Sequence, residues 1–324
     1  MHKSSTLISV SITAVIASIM IFMIAGCERF EKKKYVIAIV NPNPEDKPIA
    51  QGFIKSMAKY GYVEGKNSTY ILSENMESME SDLRNIAIKK VDLIFTITTP
   101  AAKSARKVTE GTKIPVVFVM YDAVESGVVK SLIHPGGNLT GIQIRGSTPK
   151  ALEWLLLAAP KVKHIYLPIA FDTRAAHQSL EDIKRIIAKL RIKLTISEVN
   201  TVDELKASLS AMPKEVDAIF IPHSILIISQ VESIVDAAIK RKLPVASSGH
   251  EEYHKGVMIC YGQNQFRTGE NASRLAHSIL KGTPPSDLPV ELTDFFLSVN
   301  LKTANAVGIK IPDDILLQAD FIVR

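Results

Sequence analysis

Residues 91–105, VDLIFTITTPAAKSA, decide how this chain folds. Val91, Leu93, Ile94, Phe95 and Ile97 make a short apolar run rich in β-branched and aromatic residues, the pattern of a buried strand. Thr98 and Thr99 break the run. Pro100 suits the first turn of a helix, where its missing N–H is not needed. Ala101, Ala102, Ser104, Ala105 and Val108 continue at helical spacing. The stretch therefore predicts a strand, a tight turn and a helix N-terminus. Such a terminus offers unpaired N–H groups and partial positive charge, and the two threonines add hydroxyls. Ligands of open α/β sheets sit outside the carboxyl ends of the strands. The competing use of Thr99 is a plain helix cap.

The same alternation runs outward in both directions. Residues 35–40 (YVIAIV) read as a strand closed by Asn41-Pro42-Asn43-Pro44. Residues 48–60 read as a helix with Ile49, Phe53, Met57 and Tyr60 on one face and Gly61 as its stop. A strand at 69–72, a helix at 79–90 and a strand at 114–120, ended by Tyr121-Asp122, follow. Strands alternating with helices predict a parallel sheet covered on both faces. Asn41, Thr98, Thr99, Tyr121 and Asp122 then fall at the carboxyl ends of three strands, on one rim of a cleft.

Beyond the glycine-rich run Pro135-Gly136-Gly137-Asn138-Leu139-Thr140-Gly141 a second alternation begins. It has helices at 151–159, 174–190, 202–212 and 229–241. Its strands lie at 164–169, 192–197, 218–221 and 243–246. Trp154, the only tryptophan, sits among Leu155, Leu156 and Leu157 and reads as core. Asp172, His223, Ser224 and Ser248 follow strands and form the second rim. The chain reads as two similar α/β lobes.

The 324 residues, 46% hydrophobic and 22% charged, suffice for two core-bearing units. A net charge of +6, with no basic run interleaved with aromatics, gives nucleic-acid binding no specific support. Neither Cys27 nor Cys260 fits a zinc spacing or a disulfide framework. Cys260, within Met258-Ile259-Cys260-Tyr261, is expected to be an inert buried thiol. No nucleophile elbow, P-loop or dinucleotide fingerprint occurs. The N-x-[ST] sites at Asn67, Asn138 and Asn271 read as turn, strand-entry and helix positions without glycan. His250-Glu251-Glu252-Tyr253-His254 matches H-E-x-x-H, which binds zinc when both histidines share a helix face. Gly249 and Gly256 leave little room for that helix. The expectation is a surface turn, no metal and no catalytic residue; a zinc-dependent hydrolase is the minor alternative, and zinc capture by an exposed histidine pair a side possibility.

Residues 7–24 are uncharged and mostly apolar. They end in Ile24-Ala25-Gly26-Cys27, which resembles the bacterial lipobox. That resemblance implies a signal peptide over residues 1–26, cleavage before Cys27 and its acylation, with diacylglycerol and palmitate-like chains sufficient for stable anchoring. An uncleaved membrane anchor is the alternative reading. Either way the rest of the chain is exported. Residues 28–34 (ERFEKKK) form a polar tether.

Several separated motifs resemble one family: GYVEGKN at 61–67, TTPAA at 98–102, the Asp after the next strand, PGGNLTG at 135–141, AHSILKGTPPSDLPVE at 276–291 and LSVNLKTANAVGIKIPDDIL at 297–316. It is the family of extracytoplasmic solute-binding proteins of ABC importers that includes aromatic amino acid binders. The resemblance spans nearly all of residues 35–323. It implies an α/β, two-lobed type I periplasmic-binding-protein fold, each lobe a parallel sheet flanked by helices. The chain is expected to cross between lobes near 141–147, 256–265 and 290–299. Lobe I is then 35–143 plus 264–290, and lobe II 144–263 plus 291–324.

On this reading the protein is a monomeric, lipid-anchored, non-enzymatic binder without a cofactor on the outer side of a bacterial membrane. It closes on a small amino-acid-like solute and presents it to a membrane permease. The expected contacts are Asn41, Thr98, Thr99, Ala101, Tyr121 and Asp122 from lobe I, and Asp172, His223, Ser224 and Ser248 from lobe II. Tyr261 serves as an apolar wall near a crossing. Helix N–H groups at 100–102 and the threonines are expected to hold a carboxylate, and Asp122 an amine. His223-Ser224 departs from the acidic or amide pair that amino-acid binders of the family often carry there. An anionic or ring-bearing solute is therefore a further expectation. The rival function is ligand presentation to a membrane sensor or chemoreceptor; neighbouring permease and ATPase genes distinguish the two.

Overall fold

The computed structural model describes residues 33–172 and 174–324. The first lobe starts with β1 (Tyr35–Val40), α1 (Lys47–Lys59), β2 (Ser68–Ser73), α2 (Met79–Ile88) and β3 (Leu93–Ile97). It continues through α3 (Thr99–Thr109), β4 (Val116–Tyr121) and β5 (Leu139–Ile144). The second lobe takes α4 (Thr148–Ala158), β6 (His164–Ile169), α5 (Arg174–Leu190), β7 (Lys193–Glu198), α6 (Val202–Ser210), β8 (Ala218–Ile221), α7 (Ile225–Ser229), α8 (Val231–Arg241), β9 (Val245–Ser247) and β10 (Ile259–Gln263). The chain then returns to the first lobe with α9 (Gln265–Leu280) and β11 (Glu291–Leu292). It finishes in the second with β12 (Phe295–Asn300), α10 (Leu301–Val307), α11 (Asp313–Gln318) and β13 (Phe321–Val323).

The six-stranded first sheet has the order β11-β5-β4-β3-β1-β2, all parallel. Alternating side chains serve opposite faces, as the pleat requires. Ile37, Ile39, Phe95 and Val117 pack with Ile49 and Phe53 of α1 and Leu275 of α9. Ala38, Val40, Ile94 and Phe118 pack with Leu83 of α2 and Ala101 and Ala105 of α3. Phe53 stacks on Phe95 with centroids 4.1 Å apart. All five residues of β3 are buried, which is why the stretch lacks polar alternation.

The seven-stranded second sheet has the order β13-β12-β10-β9-β8-β6-β7. Its pairs are parallel, as expected, except that among the described residues β12 runs antiparallel to β10. An antiparallel partner fits because the chain re-enters the lobe from the end at which β10 left it. Strand pairing also moves two expected boundaries. Ile144 pairs with Tyr121 and Glu291–Leu292 pair with β5, so these residues belong to the first sheet. The expected helix at 229–241 is α8, and the short helix α7, which was not expected, precedes it across Gln230. The glycine-rich run contains the start of β5, whose Gly141 meets Phe118 so closely that a Cβ would lie 2.1 Å from its carbonyl oxygen.

The expected signal peptide, Cys27 and most of the expected tether lie outside the described residues. Among the described residues no helix is long and apolar enough to cross a membrane. Cys260 is free and fully buried, and burial pushes its thiol well up, as expected of an inert cysteine.

Candidate ligand-binding rims

On the first lobe the rim is built by the ends of β1, β3 and β4. Thr98 is the N-cap of α3, with φ 95° and ψ 153°. Its hydroxyl oxygen accepts the Ala101 N–H at 3.4 Å and its carbonyl accepts the Ala102 N–H at 3.1 Å. Pro100 has no N–H. The expected carboxylate cradle at 100–102 is therefore corrected: the helix's own cap uses those donors. Ala101 is fully buried and serves the fold. The Thr98 hydroxyl hydrogen stays free to donate, because its oxygen acts as the acceptor in the cap. Thr99 is not the cap; its hydroxyl donates to the Tyr121 carbonyl at 3.1 Å and so ties α3 to β4.

Asp122 takes a left-handed backbone with φ 52°, a conformation that Asp tolerates better than most residues. Its carbonyl accepts the Ser126 N–H at 2.8 Å. The next N–H, of Ala123, donates to Gln143 Oε1 at 2.9 Å. Gln143 of β5 thus sets the Asp122 turn, a role that no sequence motif announced. Burial pushes the Tyr121 phenol well above its ordinary value, with the Asp46 and Asp122 carboxylates adding to the rise. Tyr121 is consequently a neutral O–H donor at any physiological pH. Asp46, whose carboxyl is raised by burial, is a second carboxylate beside Tyr121 that the sequence reading missed. Asn41 is 4% exposed, and its Oδ1 has no hydrogen-bond partner among the described residues. A small pocket of about 90 Å3 opens beside it, lined also by Ile39, Gln51, Leu72 and Glu74.

On the second lobe the rim is built by the ends of β6, β8 and β9. Asp172 Oδ2 accepts the Leu226 N–H at 2.7 Å and the Ser224 hydroxyl at 3.1 Å. Ser224 is the N-cap of α7 and is fully buried. These two expected ligand contacts are thereby corrected to cap residues, Ser224 entirely and Asp172 through one carboxylate oxygen. The cause is α7 itself, a short helix whose first N–H groups need acceptors. Burial lowers the His223 pKa, while the Asp172 charge works in the opposite direction. The imidazole is neutral near pH 7. Ser248 is 3% exposed, and its Oγ is also without a partner among the described residues. Tyr261 lies half-buried on β10, its ring 5.5 Å from that of Phe295.

Where the chain passes between sheets, Ser147 donates to the Ser248 carbonyl. Arg145 lies over Phe295 at 5.9 Å and Arg267 over Phe296 at 5.2 Å. These cation–π pairs join all three crossings. Alternation statistics give no signal for them.

The H-E-x-x-H stretch is not a metal centre, nor the surface turn that was expected. Residues Glu251–Tyr253 form a single 3₁₀ turn, which does not set His250 and His254 on one face. His250 is buried against Tyr253, Phe296 and Phe321 and pairs through Nδ1 with Ser298 Oγ at 3.1 Å; His254 is exposed. The exposed pair imagined for zinc therefore does not exist. Glu252 is buried beneath Gly249, and burial raises its pKa. Among the described residues no cluster of His, Cys, Asp and Glu could hold a metal. A larger groove of about 520 Å3 lies between α4 and α5, lined by Pro149, Leu156, Leu157, Ile186 and Leu190, with Lys150 and Glu153 also at its wall. It contains none of the rim residues and is mostly apolar.

Two open α/β sheets, joined by three crossings, with polar residues at the strand ends of each, define a two-lobed binding protein of the type I periplasmic class. Solved structures support that class. A ligand-free, open substrate-binding protein with adhesive properties from Clostridium difficile superposes with a TM-score of 0.71 at 27% identity, covering 90% of this chain and 99% of its own. A domain from Streptococcus pneumonia solved in complex with L-Trp gives 0.68 at 24% identity, covering 89% and 100%. In sequence, a tyrosine-binding protein of Clostridioides difficile (strain R20291) is 28% identical over 317 residues, 91% of this chain and 89% of the relative. The family described as ABC transporter substrate binding protein matches residues 35–323, and this chain belongs to it. Its members bind solutes on the extracytoplasmic side and are not enzymes.

Proposed function

We propose that this chain is the solute-binding lipoprotein of an ABC importer and that it grips an amino-acid-like metabolite between its lobes. The observation that carries the reading is a pair of buried, unpartnered polar atoms, Asn41 Oδ1 and Ser248 Oγ, one at a strand end of each sheet. Leaving such atoms unpaired costs about 1–3 kcal/mol each, and a polar solute seated between the lobes would satisfy both. The Thr98 hydroxyl holds the solute carboxylate, Asp122 its amine, and Tyr121 donates from the same rim, while Thr99, its hydrogen given to the Tyr121 carbonyl, fixes the turn that presents them. His223 and Ser248 close over the solute from the second lobe, with Asp172 at the edge and Tyr261 as wall. Contacts made only when the lobes meet give the closed state its preference, and the permease reads that state. Acylated Cys27 keeps the protein at the membrane.

The likeness to a tyrosine-binding relative supports an aromatic amino acid as the first solute to try. The neutral His223 keeps anionic and ring-bearing solutes in the screen. The test is thermal unfolding against a solute library. A true ligand at a hundredfold excess over its Kd adds about 2.7 kcal/mol and raises Tm by several degrees. The solute should be recovered chemically unchanged. A library of amino acids, related acids and sugars that leaves Tm in place overturns the reading.

A further inference from the structure

The parallel strands of the first sheet all start at one edge of that lobe, opposite the rim. At this edge the Tyr35 N–H binds Asn67 O at 2.9 Å, Asp92 N–H binds Val36 O at 2.8 Å, and Val116 N–H binds Asn138 O at 2.8 Å. Helices α1, α2 and α9 end here too. Lys34, Lys66, Lys89, Lys90, Lys113 and Lys281 gather at this edge, all exposed. Nearby, Lys33 and Lys59 are engaged by Asp92 and Glu270 at 3.7 and 2.9 Å; the six have no carboxylate partner among the described residues.

Lysines at helix C-termini answer the macrodipole in any protein, and the second lobe carries its own at Lys163 and Lys193. Two further observations bear on the first lobe's edge; the second lobe shares the first of them through exposed Leu157 and Leu190, and only the second sets the edge apart. Large apolar side chains stand exposed among the cations: Ile88 at 77%, Ile133, in the loop entering β5, at 72%, and Tyr60 at 39%, stacked on His277. Cations interspersed with exposed aliphatic and tyrosine side chains suit a lipid headgroup layer. The chain also arrives at this edge. Only residues 28–34 separate Cys27 from Tyr35, and fully extended they span at most about 25 Å.

We infer that this edge of the first lobe docks onto an anionic lipid surface, with the six lysines over the headgroups and Ile88 and Tyr60 at the interface. The inference rests on the membrane anchoring proposed above. Docking through one lobe leaves the other free to swing about the crossings, so the docked pose is compatible with solute capture.

The test uses the full-length, acylated chain reconstituted into vesicles of phosphatidylcholine, with or without phosphatidylglycerol. Lysine acylation by a water-soluble reagent is read residue by residue by mass spectrometry. In the anionic vesicles the six lysines should react about fivefold more slowly, the protection fading as salt rises from about 0.1 to 0.5 M. Lys163, Lys193 and Lys214 of the second lobe should react equally in both. Combining Lys66→Glu, Lys113→Glu and Lys281→Glu should remove the protection of Lys34, Lys89 and Lys90 without changing Tm. Equal rates in the two vesicle types, with the chain floating with lipid, overturn docking and leave anchoring intact. Chain recovered in the aqueous fraction overturns both. Protection that appears only with a co-reconstituted permease assigns the edge to a protein and overturns the lipid assignment.

Discussion

Ser147 donates its hydroxyl hydrogen to the main-chain carbonyl of Ser248 at 2.6 Å, so the first crossing is tied to the turn that carries the second rim. On the closure proposed above, this bond lies on the second-lobe side of the place where the lobes rotate. Ser147→Ala should therefore loosen the joint at a cost of about 1 kcal/mol, the usual net worth of one hydrogen bond. Calorimetric titration should show a Kd altered by several-fold while the far-UV spectrum stays the same. An unaltered Kd would mean that the bond plays no part in the hinge.

Helices α1 and α9 approach so closely that a Cβ on Gly269 would lie 2.0 Å from the Ile49 carbonyl oxygen, and one on Gly52 would lie 2.0 Å from that of Phe266. Neither backbone can yield without moving a whole helix. Gly269→Ala should destabilise the first lobe by about 1–3 kcal/mol, as overpacking does elsewhere. Urea unfolding with unchanged slope and a lower midpoint is the expected record.

Asp122 is the carboxylate proposed above to meet the solute's amine on the first rim. Asp122→Asn retains a residue that accepts the left-handed φ of 52° and removes the charge. Affinity for an amine-bearing solute should fall by about 1.5–3 kcal/mol, the worth of a charge-assisted bond, with Tm of the free protein nearly constant. Affinity equal to that of the parent removes Asp122 from the site.

Burial holds the His223 pKa below the ordinary value of 6.5. The unfolded chain then takes up a proton at a pH where the native imidazole does not. Stability is complete above pH 6.5 and declines as pH falls toward the depressed native value. His250 and His277 are shifted in the same direction by burial and add to the decline. His223→Gln should flatten that part of the curve of unfolding free energy against pH. A slope unaffected by the substitution would assign the decline to the other two histidines.

Much of the architecture could be read from residue order because burial on both faces leaves a strong imprint. The run through Leu93 to Ile97 has one polar position, Thr96, and every residue proved buried. The rim positions followed, since strand ends are fixed once strands are. What stayed hidden depends on contacts between distant segments. Thr98 takes an unusual φ because β3 must turn directly into α3, and nothing in TTP distinguishes its capping from a ligand cradle. β5 lay masked within a run of glycines. The polar letters HEEYH suggested a surface, yet His250 and Glu252 are interior because β12 and β13 cover them. Gln143, Arg145 and Arg267 gained their roles only when three separated crossings met.

The return of α9 and β11 to the first lobe has a consequence for how the protein is made. The face of β1 and β3 that carries Ile37, Ile39 and Phe95 is covered in part by Leu275 and Ala276, and β5 is flanked by Glu291–Leu292. A ribosome that has finished the first 150 residues has therefore released a half-clad sheet. The amino-terminal lobe reaches its final packing only after nearly the whole polypeptide has been synthesised. A chain with that delay stays loosely folded for longer, the state in which a translocation channel can thread it.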